Sequence, residues 1–192
     1  MKGFVDIGSH YAEEYFDLKP QIRDHINWIF FEPVKSTYDE MCRRLPQASN
    51  IKTHNIALGN MIGEIEMFTE SHNKGQSSSI LKPKIHLEQY PMIVFNGRTK
   101  VKIDKLDNIE YDRNLYDVMH IDVQGYELEV LKGAINSLAN INILTCEVNK
   151  EELYEGCPMI GDITDFLYKC GLRLFSINWI GGNWGDATYK RL

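Results

Sequence analysis

The sequence is poor in the features that would make its function easy to assign. No apolar run approaches the ~20 residues needed to span a bilayer, and no apolar signal region opens the chain. Membrane insertion and secretion are therefore not expected. No Lys/Arg cluster occurs, and 21 basic against 27 acidic side chains give a formal net charge of −6, which argues against general nucleic-acid binding. The four cysteines, Cys42, Cys146, Cys157 and Cys170, form no C-x-x-C pair, and no histidine stands at zinc-finger spacing. Free thiols in a reducing, cytoplasmic compartment are the expectation. No internal repeat, linker or low-complexity tract is visible, so residues 1–192 are expected to form one domain. Hydrophobic residues are 43% of the chain and charged residues 25%, a profile suited to a globular protein with a core.

One further absence is informative. Phe4-Val5-Asp6-Ile7-Gly8 reads as a buried strand that stops at a glycine turn, yet the G-x-G-x-x-G of dinucleotide sites is missing, because Ser9, His10, Tyr11 and Ala12 follow. That pattern needs its glycines to admit a pyrophosphate. A second apolar strand, Phe30-Phe31-Glu32, ends in an acid 24 residues after Gly8. Such an acid accepts hydrogen bonds from ribose hydroxyls in nucleotide-binding βαβ units. The pair fits a nucleoside without phosphates better than NAD, and S-adenosylmethionine is such a molecule.

Taken in order, strands are expected at 3–7, 27–32 and 51–57, with helices at 11–18, closed by Pro20, and at 34–45. Pro33 suits the first helical turn. Tyr38, Met41, Cys42 and Leu45 share a face of that helix. Residues 62–69 read as a strand, 70–79 as a mobile polar loop and 98–104 as a further strand, while 80–97 resist assignment. A strand at 118–123 ends on Asp122 and precedes a helix with Leu128, Leu131, Ile135 and Leu138 on one stripe. A strand at 141–147, a helix at 160–170 and strands at 172–178 and 186–191 follow. The link Gly181-Gly182-Asn183-Trp184-Gly185 is too short for a parallel crossover, so the final pair should be an antiparallel hairpin.

FVDIGSH, FFEP, NIALG, the serine run, IDKLD, IDVQGYELEVLKGA and the terminal DATYKR occur in the order seen in one family. In these motifs the chain resembles the FkbM-type S-adenosylmethionine-dependent methyltransferases. It departs from their pattern at Ser9, His10, Ala12, Gln124 and Tyr126, and has almost no segment before its first strand. The resemblance implies an α/β class I methyltransferase (Rossmann-like) fold: a mostly parallel sheet, helices on both faces and a C-terminal antiparallel hairpin. It also implies O-methylation of a small-molecule or glycan hydroxyl. A binding module that keeps the cofactor pocket without methyl transfer is the alternative. The oligomeric state is left open.

The expected cofactor residues sit at strand ends. Glu32, followed by Pro33, is the ribose ligand. Asp6, Gly8 and Ser9 border the methionine tail, whose carboxylate would accept N–H groups of the loop. Asn55 and Ala57 lie near adenine, Ser78 reaches or covers the cofactor, and Asp122, Val123 and Gln124 line the reaction centre. Asp122 and Glu147 are the candidate catalytic acids, with His10 the better placed histidine base. His120 reads as a packed core residue. If Mg²⁺ takes part, Asp122, Glu147 and Asn149 are its candidate oxygen ligands. Trp179 and Trp184 flank the hairpin; packing within it is the first expectation for them, and lining a sugar site the alternative.

Overall fold

The computed structural model describes residues 1–192. In chain order the elements are β1 (Gly3–Ile7), α1 (Glu13–Asp17), α2 (Pro20–Arg23), β2 (Asn27–Phe31), α3 (Lys35–Arg44), β3 (Ile51–His54), β4 (Ala57–Leu58), β5 (Gly63–Thr69), α4 (Ile85–Gln89), β6 (Gly97–Asp104), β7 (Val118–Ile121), α5 (Glu127–Lys132), α6 (Ile135–Leu138), β8 (Ile143–Asn149), α7 (Ile160–Lys169), β9 (Leu172–Trp179) and β10 (Trp184–Arg191). Seven strands form one sheet in the order β3-β2-β1-β7-β8-β10-β9. All run parallel except β10, which is antiparallel to both its neighbours. The reversed hairpin expected from the glycine link is present. No helix is long and apolar enough to cross a membrane.

Every residue of β1 is buried, because helices cover both faces of the sheet, as parallel sheets require. Alternation along the strands divides the core. Val5, Ile7, Ile29 and Phe31 face α5 and α7, meeting Val130, Leu131, Ile163 and Leu167. Phe4, Trp28 and Phe30 face the other way, against Tyr15 of α1 and Met41 of α3. Trp28 stacks on Phe4 and on Phe30, with ring centroids 4.7 and 5.3 Å apart. Each such buried large side chain contributes about 1.5–3 kcal/mol.

Four local expectations are corrected. Pro20 starts a second helical turn, α2, as an N-terminal proline can. Residues 51–57 are two strands, not one. The Asn55 side chain donates to the carbonyls of Glu32 and Pro33, each at 2.9 Å, and the chain turns there so that β4 joins a separate sheet, β4-β6-β5. The single helix after Gly125 is α5 and α6, broken at Gly133, so Ile135 falls off the buried stripe and is 50% exposed. A Cβ at Gly133 would lie 2.0 Å from the Gly59 carbonyl oxygen, so this position requires glycine. The loop at 70–79 has an internal anchor: the Glu70 carboxylate accepts N–H groups of Asn73, Gly75 and Ser77 at 2.6, 2.8 and 3.4 Å.

Arg191, near the end of β10, closes the α-helical layer. Its guanidinium donates to the carbonyls of Leu138, Ile141 and Cys170 at 2.6, 2.9 and 3.1 Å. These lie at the C-terminal ends of α6 and α7, where carbonyls lack helical partners. Arg191→Ala is expected to destabilise the fold by about 2–4 kcal/mol, read as a lower midpoint in urea unfolding. Arg191→Lys should recover only part, since an ammonium cannot match the planar fork.

Candidate active site

The site lies at the C-terminal ends of β1, β2, β7 and β8, where open α/β sheets bind ligands. Gly8 makes the convergence possible. Its φ is +81°, and a Cβ there would lie 1.8 Å from the Asp122 carbonyl oxygen. Ser9 ties β1 to β2: its Oγ donates to the Asp6 carbonyl at 2.8 Å and accepts the Phe31 N–H at 3.0 Å. Glu32 follows β2 and is buried. One carboxylate oxygen accepts the Val34 N–H at 2.7 Å, the other the His10 N–H at 3.1 Å. Burial lifts its pKa to about 7 against these two hydrogen bonds.

Asp6 faces His120 across adjacent strands, with Oδ1 2.9 Å from Nδ1. The other oxygen, Oδ2, is buried without a partner. Burial pulls the His120 imidazole down, but Asp6, Glu14 and Asp122 outweigh it and raise the pKa to about 9. His120 is therefore a cation at neutral pH rather than the core residue its alternation suggests. Next along β7, Asp122 is joined to Glu147 through the side chain of Gln124. The Gln124 amide nitrogen is 2.7 Å from Asp122 Oδ1 and 3.0 Å from Glu147 Oε2, and its oxygen is 2.8 Å from the Tyr154 hydroxyl. Gln124 holds a left-handed backbone, φ 54°, and the Ser79 hydroxyl fixes it by donating to its carbonyl at 2.6 Å. Burial raises the pKa of both Asp122 and Glu147; His120 opposes it at Asp122, while the other carboxylates reinforce it at Glu147.

Two cavities meet here. The larger, about 530 Å³, is lined by Asp6, Ser9, Glu14, His120, Glu147 and Trp184 among others. The narrower, more apolar cleft runs beneath Glu32 and Pro33, past Ile56, Ala57, Met67, Ser78 and Val123. Gly8, His10, Gln76, Asp122 and Gln124 line both. The structure thus gathers nearly all the residues expected from the sequence, with exceptions. Asn55 lines neither cavity and instead holds the end of β2. Asn149 is fully buried and lines neither cavity. His10 has both ring nitrogens engaged, Nδ1 2.8 Å from Glu13 Oε1 and Nε2 3.0 Å from the Lys74 carbonyl, which leaves neither free to take a proton. The loop amides expected to receive a carboxylate are spent: Gly8 and Ser9 donate to the Phe31 carbonyl, His10 to Glu32 and Tyr11 to Glu13. Trp184 faces the larger cavity, whereas Trp179 lies outside it under Lys150.

The donor set does not fit Mg²⁺. The amide nitrogen of Gln124, a hydrogen-bond donor, occupies the space between Asp122 and Glu147, and no three His, Cys, Asp or Glu side chains gather as a metal-ligating group. The residues that sequence reasoning missed are His86, Gln76 and Tyr154, which lie outside every recognisable motif, and the pairing of His120 with Asp6.

The strand order with β10 reversed defines a class I methyltransferase fold. Two solved structures share it: methyltransferase FkbM from Methylobacillus flagellatus KT, TM-score 0.65 and 15% identity over 98% of this chain and 43% of that one, and magnesium protoporphyrin IX methyltransferase (ChlM) from Synechocystis PCC 6803, TM-score 0.54 and 9% identity over 98% and 69%. Within that class the chain belongs to the FkbM methyltransferase family, whose domain model matches residues 6–174. It is also 28% identical over 155 residues to the 2-O-methyltransferase NoeI of Sinorhizobium fredii (strain NBRC 101917 / NGR234), covering 77% of this chain and 63% of that protein. The chain therefore spans under two thirds of that curated relative.

Proposed function

We propose that this domain methylates a hydroxyl of a sugar, glycan or other small molecule, with S-adenosylmethionine as methyl donor. The observation that carries the reading is the junction of two unlike cavities over Gly8, Asp122 and Gln124. Bound there, the sulfonium supplies an activated methyl group, so that the protein's task is mainly alignment. The apolar cleft suits adenine, with Glu32 accepting from the ribose hydroxyls. Asp6 Oδ2, buried and unpartnered, suits the ammonium of the methionine tail. Asp122, at the rim of both cavities, orients the acceptor hydroxyl and accepts its proton. Gln124 fixes the Asp122 carboxylate, and Glu147 and Tyr154 fix Gln124. Ser78 lines the cleft and closes over the nucleoside. The 2-O-methyltransferase relative supports a sugar-type acceptor. Four free thiols support a reducing, cytoplasmic setting.

Calorimetry with S-adenosylmethionine, S-adenosylhomocysteine and NAD tests the cofactor, and uptake of labelled methyl by glycans and lysate metabolites tests the transfer. Binding of both adenosyl compounds but not NAD, with a methylated product, is expected. Binding without any methylated product would leave a cofactor-binding module. No binding would remove the reading altogether.

A further inference from the structure

Eighteen residues line the larger cavity, and none is Lys or Arg. Five are carboxylic acids: Asp6, Glu13, Glu14, Asp122 and Glu147. The two histidines beside them are already engaged, His120 by Asp6 and His10 by Glu13 and the Lys74 carbonyl. The loop amides from Gly8 to Tyr11 are spent inside the protein, as described above. An anion entering this cavity meets a lining rich in carboxyl groups, in which both histidines are already paired to acids and no free N–H cluster is left to bind a phosphate or carboxylate. S-adenosylmethionine, with two cationic groups against one carboxylate, suits the same lining.

The facing wall is different. Trp184 Nε1 donates to the Tyr90 hydroxyl at 2.7 Å, which fixes both rings and leaves the Tyr90 proton to be donated elsewhere. His86 lies beside them, 5.1 Å from the Tyr90 ring and 5.4 Å from that of Tyr154, and is only 4% exposed. Its Nδ1 is sealed off without a hydrogen-bond partner. Burial lowers the His86 pKa, so the ring is neutral. A buried N–H without an acceptor costs more than a bare ring nitrogen, which puts the proton on Nε2. Flat rings with a few fixed polar groups suit a ligand that has both an apolar face and a hydroxyl rim.

We propose that the larger cavity selects an uncharged, hydroxyl-rich ring as acceptor and rejects its phosphorylated and carboxylated counterparts, with His86 donating to one of the ring's hydroxyl oxygens. The proposal rests on the methyl-transfer reading for its biological meaning. Its test is a binding measurement that needs no turnover.

Ligand-observed NMR on the full chain, with and without S-adenosylhomocysteine, would compare methyl glucoside, methyl mannoside and methyl fucoside with glucose 6-phosphate and glucuronic acid. At least one neutral glycoside should bind at least about tenfold more tightly than either anion, with the gap narrowing at high salt. His86→Phe, which keeps a ring, should weaken that glycoside about tenfold without changing S-adenosylhomocysteine affinity or the melting temperature. His86→Gln, which restores a donor, should recover part of it. Anions that bind as tightly as the glycosides, no glycoside binding at all, or unchanged affinity in folded His86→Phe would each overturn the proposal. Failure of S-adenosylhomocysteine to bind, with the glycoside preference intact, would instead overturn the methyl-transfer reading alone.

Discussion

Asp122→Asn is expected to lower methyl-transfer turnover by about 10²–10⁴-fold, the range for loss of a positioned general base. Cofactor affinity should change little, because the proposed ribose and methionine-tail contacts lie on Glu32 and Asp6. The substitution is close to isosteric, and the new amide oxygen can still accept from Gln124 Nε2, which sits at 2.7 Å in the wild type. What disappears is the charge. The pH profile gives an independent check. Burial raises the Asp122 pKa, with His120 partly opposing it. The proton-accepting form therefore exists only above this raised value. Wild-type kcat should fall as pH is lowered through a midpoint above the ordinary carboxylate range, and a chelator should leave it unchanged. Turnover that survives the substitution would reduce Asp122 to a strand-end residue.

The second large effect belongs to Glu32. Glu32→Ala should weaken S-adenosylmethionine binding by roughly 1.5–3 kcal/mol, the scale of a charge-assisted hydrogen bond, as measured by calorimetry. The structure adds a control. Alanine also strands the N–H groups of His10 and Val34, so part of its effect is on the loop. Glu32→Gln keeps one acceptor oxygen and should fall between alanine and wild type. The Glu32 pKa of about 7 sets the direction with pH. The carboxylate is the better acceptor, and it forms as pH rises through that value. Affinity should therefore be greater at pH 8 than at pH 6 in the wild type, and flat in Glu32→Gln. Equal affinity in wild type and folded alanine variant would remove Glu32 from the ribose.

The ends of β1, β2 and β7 were legible because each is a short apolar run with an acid at or beside its end, two of them followed by glycine turns. Periodicity also placed α3 and α7, and the short glycine-rich link placed the terminal hairpin. Most of the misses share a cause, a partner far along the chain. Asp6 and His120 meet only because β1 and β7 are neighbours in register, a fact 114 residues of separation conceal. Asn55 splits a strand by binding carbonyls beyond β2. Glu70 is the exception: its partners are close in sequence, but they are backbone groups, which carry no residue-type signal. His86 belongs to a segment without periodicity, and only the fold carries it to the wall of the cavity.

The position of β10 between β8 and β9 has a consequence for how the chain reaches this state. β9 is synthesised before the strand that joins it to the sheet. Until β10 arrives, β8 has one bare edge and β9 has no partner at all, so two sets of unpaired backbone groups must wait together. Such edges favour pairing with other chains. β9 is also the more hazardous of the two, because it leaves Leu174 and Phe175 exposed even in the finished fold. A released chain truncated between Trp179 and Trp184 should therefore aggregate more readily than one that carries β10.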